Sequence, residues 1–273
     1  MVARSARRRD VMSAVNPALL ALFLGMGCGD ASDPSPPPSD PPSVPVSAVG
    51  RVVTTEERVG EEETYRLYRF SVRLPEAQLG ISDLRFQKTL PTLLREKNAE
   101  LVVNGGFWDR DRRPEGLAVS RSEELYPYDR DLGGGILAIR NGRAELLDGE
   151  SAPPSGADFA VQARPRLVVD RQRNIATDDG KRADRTALCI RDRGETLEVI
   201  IARGEGEDRK DGPTLYQFAD RLVRAGCEGA LNLDGGSSTG AAWREDGQVR
   251  SLEPRTRLRL AVVIGSASPP EAR

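Results

Sequence analysis

The feature that most limits how this chain can fold is a succession of short apolar runs, each cut off by Gly, Asp or Asn. They occupy residues 64–74, 101–103, 116–119, 135–139, 143–147, 159–161, 166–169, 185–190, 197–202, 230–233 and 258–264. Runs of this length, rich in Val, Ile and Leu and bounded by turn formers, fit strands and are too short for helices. Asn141-Gly142 between two of them predicts a hairpin, because both residues tolerate the positive φ of a type I′ turn. Only residues 90–97 and 214–225 read as helices. The second places Leu215, Phe218, Ala219, Leu222 and Val223 on one face, with Gly226 as a C-terminal cap. The expected class is α+β, a single domain over residues 48–268 with a mixed, mostly antiparallel β-sheet and a few helices; residues 269–273 form a tail.

Ahead of that domain the composition changes. Arg4, Arg7, Arg8 and Arg9 precede a mostly apolar stretch ending in Gly25, Met26, Gly27 and Cys28. A basic start, an apolar middle and small residues at the end make a secretory signal, too short for a membrane span. Small residues directly before Cys28 also fit a bacterial lipoprotein box, in which that cysteine carries the lipid. Residues 29–47, GDASDPSPPPSDPPSVPVS, then read as an extended spacer with nothing to bury. The expected location is outside the cytoplasm, as a lipoprotein of a bacterial envelope anchored only through Cys28, or otherwise secreted. Export would place Cys189 and Cys227 where disulfides persist. The two either form a bridge or sit as small buried apolar residues.

Histidine is absent: the chain holds 40 Lys and Arg, 42 Asp and Glu, and 0 His, for a net charge of -2. This excludes Ser-His-Asp and Cys-His nucleophiles and His-ligated zinc. The acidic balance argues against a nucleic-acid partner. No dinucleotide fingerprint or phosphate-binding Gly-Lys-Ser/Thr loop occurs. No cofactor is expected; for a divalent cation such as calcium, Asp178, Asp179 and Asp184 offer only a weak loop pattern.

Chemistry-bearing residues gather where strand rules break. The run at 101–103 leads straight into Asn104, Gly105 and Gly106, then Phe107, Trp108 and Asp109. Paired glycines after a strand allow a tight turn and a close backbone approach to a ligand. The pattern returns at the end of 230–233, where Asn232 and Asp234 precede Gly235, Gly236 and Ser237. A carboxylate at a strand end, followed by flexible backbone donors and a hydroxyl, can place a base or nucleophile beside an oxyanion cradle. Gln162 and Arg185 lie in or beside apolar runs, where an unpaired charge is costly. Arg185 therefore needs an anion, either an internal carboxylate or a bound phosphate or carboxylate.

The order of these motifs resembles the phosphodiester glycosidase family across residues 98–264. The carriers are Asn104-Gly105-Gly106-Phe107, Pro114 and Gly116, Gln162 with Pro165-Arg166-Leu167-Val168, Arg185-Thr186-Ala187, Thr214-Leu215, and Asn232-Leu233-Asp234-Gly235-Gly236-Ser237. The chain departs from the pattern at Trp108, where a second Phe is common, at the two-glycine run after Asp234, and at Arg164, which stands in place of a glycine. Glu115 falls on a variable position.

The resemblance implies hydrolysis of a sugar 1-phosphodiester on an envelope or extracellular polysaccharide or glycoconjugate. Such a leaving group is already an anion of low basicity, which suits a histidine-free site. Asp234 is then the expected catalytic carboxylate and Asp109 the second. Asn104, Gly105, Gly106, Gln162, Arg185, Asn232, Gly235, Gly236 and Ser237 are expected to bind substrate. The alternative is a non-catalytic carbohydrate-binding envelope lipoprotein on the same fold, with Trp108 and Trp243 as stacking platforms.

Overall fold

A computed structural model describes residues 57–58, 65–151, 153–205 and 211–266, which fall within one compact unit, Pro45–Arg273. The signal-like segment 1–28 with Cys28, the spacer 29–47, Thr64 and the tail 269–273 lie outside the described residues.

The chain begins with β1 (Glu57–Arg58), β2 (Tyr65–Arg73), β3 (Ala77–Asp83), α1 (Leu90–Glu96) and β4 (Leu101–Asn104). It continues with β5 (Ala118–Ser120), β6 (Glu123–Tyr126), β7 (Gly135–Arg140), β8 (Arg143–Asp148), β9 (Phe159–Ala163), β10 (Arg166–Val169) and β11 (Gln172–Arg173). It closes with β12 (Arg185–Arg191), β13 (Thr196–Gly204), α2 (Leu215–Arg224), β14 (Gly229–Asn232), β15 (Ala241–Glu245), β16 (Gln248–Leu252) and β17 (Leu260–Ser266).

These strands form a 7-stranded sheet in the order β1-β2-β13-β12-β14-β10-β11 and two 5-stranded sheets, β16-β15-β4-β17-β3 and β6-β5-β9-β7-β8. The expectation of a mixed sheet is corrected: every described strand pair is antiparallel, and the fold is strongly β-dominated, with α1 and α2 as its two described helices.

The reason lies in burial. All three sheets turn one face to a shared core: Phe70, Leu188 and Ile201 from the first, Val103, Val262 and Trp243 from the second, and Leu137, Phe159 and Val161 from the third. The opposite faces are covered too. Phe218, Ala219 and Leu222 of α2 pack on Val168, Ala187 and Ala202, while Leu90, Leu93 and Leu94 of α1 pack on Val102, Ala242 and Ala261. Strands covered on both faces lose the apolar–polar alternation of a half-solvated antiparallel sheet. Hence β4, β9 and β14 are buried at every position and read as continuous apolar runs.

Local signals agree with this packing. Asn141 and Gly142 adopt φ of 52° and 69° between β7 and β8, as the hairpin requires. Thr214 caps α2 in a reciprocal pair with Gln217. At its other end Gly226, φ 86°, and Cys227 donate to the carbonyls of Val223 and Leu222, a Schellman ending. Cys227 is joined to Cys189 of β12, which resolves the open alternative as a bridge between the end of α2 and the central sheet.

Candidate active site

The two glycine-bearing loops meet where β4 and β14 end. Asn104, fully buried, donates through Nδ2 to the Asp234 carbonyl at 2.6 Å. Its Oδ1 accepts from the Thr186 hydroxyl at 2.9 Å and from the Gly240 N–H at 3.1 Å. Asp234 N–H donates in turn to Gly105 O at 3.3 Å, and Leu233 N–H to Thr186 O at 2.9 Å. One amide thus ties the end of β4 to β12, to the Asp234 turn and to the approach of β15. Its hydrogen-bonding groups are engaged by the protein, so its place is to position Asp234. That differs from the substrate contact expected of it.

The glycines divide in the same way. A Cβ on Gly105 would lie 2.8 Å from Leu260 Cβ and 3.0 Å from the Leu260 carbonyl, so a side chain has no room there. A Cβ on Gly106 would make ordinary contacts at 3.6 and 3.7 Å. Gly105→Ala is therefore expected to destabilise the fold by roughly 1–3 kcal/mol through overpacking, and Gly106→Ala by far less. Thermal unfolding of the two variants side by side checks this; equal midpoints would remove the distinction. A Cβ on Gly235 would lie 2.9 Å from the Asp184 carbonyl oxygen, while Gly236 takes φ 58° with open space where a Cβ would stand, and donates to the same carbonyl at 2.7 Å.

Asp234 is partly buried, and its carboxyl pKa is raised above the ordinary value. Burial is the main cause; the Ser238 hydroxyl and the Gly235 N–H, 2.9 Å from Oδ1, oppose it, and the negative charge of Glu115 adds to it. The carboxylate that acts on Asp234 is therefore Glu115. Asp109, expected as the second carboxylate, instead closes its own turn: Oδ1 accepts from Arg113 N–H at 2.8 Å, and Asp109 N–H donates to Arg113 O at 2.9 Å.

Three more of the expected residues are placed as follows. Gln162 is fully buried; its Oε1 accepts from Leu117 and Asp129 N–H groups, both at 3.1 Å, and Nε2 donates to Asp129 O at 2.6 Å and Gly133 O at 3.3 Å. It braces the loops around β9 and has no group left for a ligand. Arg185 reaches carbonyls rather than an anion, Nη2 to Lys181 O at 2.6 Å and Nε to Pro213 O at 3.2 Å. Burial lowers its pKa, against the nearby charges of Asp179 and Asp184. Ser237 is exposed, and its carbonyl accepts from Arg255 and Thr256 N–H groups at 2.8 and 3.2 Å; the hydroxyl on Asp234 is that of Ser238.

Asn232 donates through Nδ2 to Arg164 O at 2.9 Å, and its Oδ1 is buried without a donor. The Arg164 guanidinium lies 3.7 Å from Glu115 and 6.0 Å from the centroid of Phe107. Trp243 is a core residue, 5% exposed and edge-on to Phe70, so it is no stacking platform; Trp108 is partly exposed and edge-on to Phe86. The three aspartates of the calcium pattern serve separate local bonds, Asp178 to Gly180 N–H, Asp179 to Lys181 N–H and buried Asp184 to Gly204 N–H. Among the described residues no acidic or cysteine cluster could hold a metal ion, and no helix is long and apolar enough to cross a membrane.

Thr186, Glu115 and Arg164 lie in or beside the motifs read from the sequence and Ser238 follows one of them, yet none of the four is given a binding or catalytic role there. Thr186 had a signal, a hydroxyl in an otherwise apolar strand; Glu115 and Arg164 sit in loops whose approach only the tertiary fold creates.

The family model for phosphodiester glycosidases matches residues 97–265. Among solved structures, the catalytic domain of zebrafish N-acetylglucosamine-1-phosphodiester alpha-N-acetylglucosaminidase, auto-inhibited by its pro-peptide, superposes with a TM-score of 0.58 at 14% identity, covering 78% of this chain and 86% of that one. A hypothetical protein from Synechocystis gives 0.52 at 16% identity, over 73% of this chain and 59% of that one, so the chain spans less than two thirds of its length. A Burkholderia pseudomallei protein described as exported gives 0.52 at 13% identity, over 74% of each chain. At these identities the likeness is one of fold. No curated protein matches.

Proposed function

Because the chain belongs to the phosphodiester glycosidase family, we propose that it hydrolyses a sugar 1-phosphodiester at the junction of the β4 and β14 ends. The observation that carries this reading is Asp234: a partly buried carboxyl of raised pKa, with its backbone clamped by Asn104 and Gly105. A carboxylate made more basic by burial is suited to move protons near neutral pH without histidine.

In the proposed reaction Asp234 takes a proton from the water that adds to the anomeric carbon. The bond from that carbon to the phosphate oxygen breaks, and the phosphomonoester departs with the electron pair. The transition state has oxocarbenium character, which a nearby carboxylate stabilises. Glu115 is the second carboxylate; its charge strengthens Asp234 as a base. Arg185, fixed on two carbonyls under Gly235, contributes a positive charge beneath the Asp234 turn.

Turnover of a sugar 1-phosphodiester and of a neutral aryl glycoside by the purified full chain tests the reading. Preference for the phosphodiester supports it; cleavage of the aryl glycoside alone would replace it with ordinary glycosidase chemistry. A pH profile tests the role of Glu115. Removing its charge in Glu115→Gln lowers the Asp234 pKa, so less base is needed to ionise Asp234 and the acid limb of kcat/KM moves to lower pH. A limb that stays in place would show that Asp234 does not control it.

The envelope setting is part of the same proposal. A Cys189–Cys227 bridge suits an oxidising compartment, and the Cys28 box offers the lipid attachment. Labelled palmitate incorporated by the native chain and lost in Cys28→Ala is the expected result.

A further inference from the structure

Resting on the phosphodiester reading above, we propose that Arg164 is the residue that recognises the phosphate oxyanion of the substrate and sets the preference for a charged aglycone. The sequence pointed to Arg185 for this role. Arg185 has two of its donor groups on Pro213 O and Lys181 O, which fix it in place. Arg164 is different in each respect that matters for catching an anion.

Its backbone is held. The Arg164 carbonyl accepts from Asn232 Nδ2 at 2.9 Å, the neighbouring Pro165 carbonyl accepts from Asn232 N–H at 3.1 Å, and a Cβ on Gly134 would come within 2.9 Å of Arg164 Cα. The anchoring residue, Asn232, is two positions from Asp234, so the strand end that carries the catalytic carboxylate also fixes the base of this arginine.

Its side chain is open. The side chain is 52% exposed, and its guanidinium makes no hydrogen bond among the described residues. Among the described residues its one ionic neighbour is Glu115 at 3.7 Å, beyond hydrogen-bond length, and Phe107 supports it from the ring face at 6.0 Å. A planar fork with unengaged donors matches two phosphate oxygens, a geometry that lysine cannot copy. The placement also answers an electrostatic problem. Glu115 and Asp234 are negative, and a phosphodiester brought beside them without a cation would be repelled; Arg164, already against Glu115, offsets that charge where the substrate arrives.

The same position leaves Asn232 Oδ1 buried without a donor, 5% of the residue being exposed. An acceptor of this kind suits a sugar hydroxyl, so oxyanion and sugar would be read from one strand end.

The test uses the full chain with Arg164→Gln and Arg164→Lys. Loss of a charge-assisted pair is expected to cut the ratio of kcat/KM for a sugar 1-phosphodiester over that for an aryl glycoside of the same sugar about ten- to hundredfold in the Gln variant. The loss falls mainly in KM, with partial rescue by Lys. Direct binding of inorganic phosphate, measured by calorimetry without turnover, separates the two claims. Phosphate bound by the native chain and lost in Arg164→Gln, with no phosphodiester turnover by either, would leave Arg164 as an anion site and overturn the hydrolase reading. Phosphate bound equally by native and Gln chains, or by neither, overturns the role of Arg164, as does an unchanged specificity ratio.

Discussion

Replacing Asp234 with Asn is expected to lower kcat/KM on a sugar 1-phosphodiester by about 10²–10⁴-fold, the usual effect of removing a positioned acid–base group. The same variant is expected to be at least as stable as the native chain. The sign follows from the raised pKa. A carboxyl whose folded-state pKa exceeds its unfolded value contributes fully only below the unfolded value, and that contribution is lost as pH rises through the folded value. Once Asp234 is ionised the native fold carries a partly buried charge at some cost, and a neutral isostere relieves it. Asn also keeps an oxygen for the Gly235 N–H that Oδ1 now accepts at 2.9 Å. Activity falling while the thermal midpoint holds or rises marks a residue kept for function. A midpoint that collapses together with activity would assign Asp234 to structure instead.

Asn104→Ala is expected to damage both stability and activity. The substitution removes the partner of the Asp234 carbonyl, the Thr186 hydroxyl and the Gly240 N–H. Thr186 is fully buried, and each buried group left without a partner costs about 1–3 kcal/mol. A total near 3 kcal/mol would lower Tm by roughly 6–12 °C in a domain of this size. Activity is expected to fall at least about a hundredfold, because displacement of a catalytic group by about 1 Å is enough for that. Asn104→Asp keeps Oδ1 for Thr186 and Gly240 but sets a second acceptor oxygen against the Asp234 carbonyl, so it is expected to break that one contact and to cost stability as well. A thermal midpoint in Asn104→Ala within a degree of native would contradict the clamp.

Much of the fold is legible because its strands are covered on both faces, so β12 and β13 are buried nearly throughout and carry the apolar runs Ala187 to Ile190 and Val199 to Ala202. Of the strands absent from the apolar runs, β3, β6 and β16 lack that signature, whereas β15 is buried at Ala241, Ala242 and Trp243. β6 and β16 carry Glu123, Glu124, Gln248 and Arg250 towards solvent, and β3 is interrupted by Gly80. That glycine has a physical reason: a Cβ there would sit 3.1 Å from Ser120 Oγ, which accepts the Ile81 N–H at 2.9 Å and links β3 to β5 of the third sheet. Asp246-Gly247 between β15 and β16 is a hairpin turn of the same kind as Asn141-Gly142, with φ of 49° and 76°. The division into three sheets was not readable at all, since it depends on which distant strands pair.

At the site, positions were easier to read than roles. Asn104, Gln162 and Asp234 stood out because polar groups interrupt buried strands. A buried amide, however, satisfies itself first on the backbone, and both Asn104 and Gln162 do so. Asp109 drew attention by its closeness in sequence to the glycine pair, yet its carboxylate serves the turn it starts. Glu115, six residues later, is returned towards Asp234 by the Glu115 N–H to Phe107 O bond at 2.9 Å. Such a return is set by the hairpin, and spacing alone does not reveal it.

The central claim, cleavage on the sugar side of the phosphate, is tested most directly by running the hydrolysis in water labelled with oxygen-18 and locating the label by mass spectrometry. Label is expected on the anomeric hydroxyl of the released sugar, with none in the phosphomonoester. Label in the phosphate would mean attack at phosphorus and would contradict it.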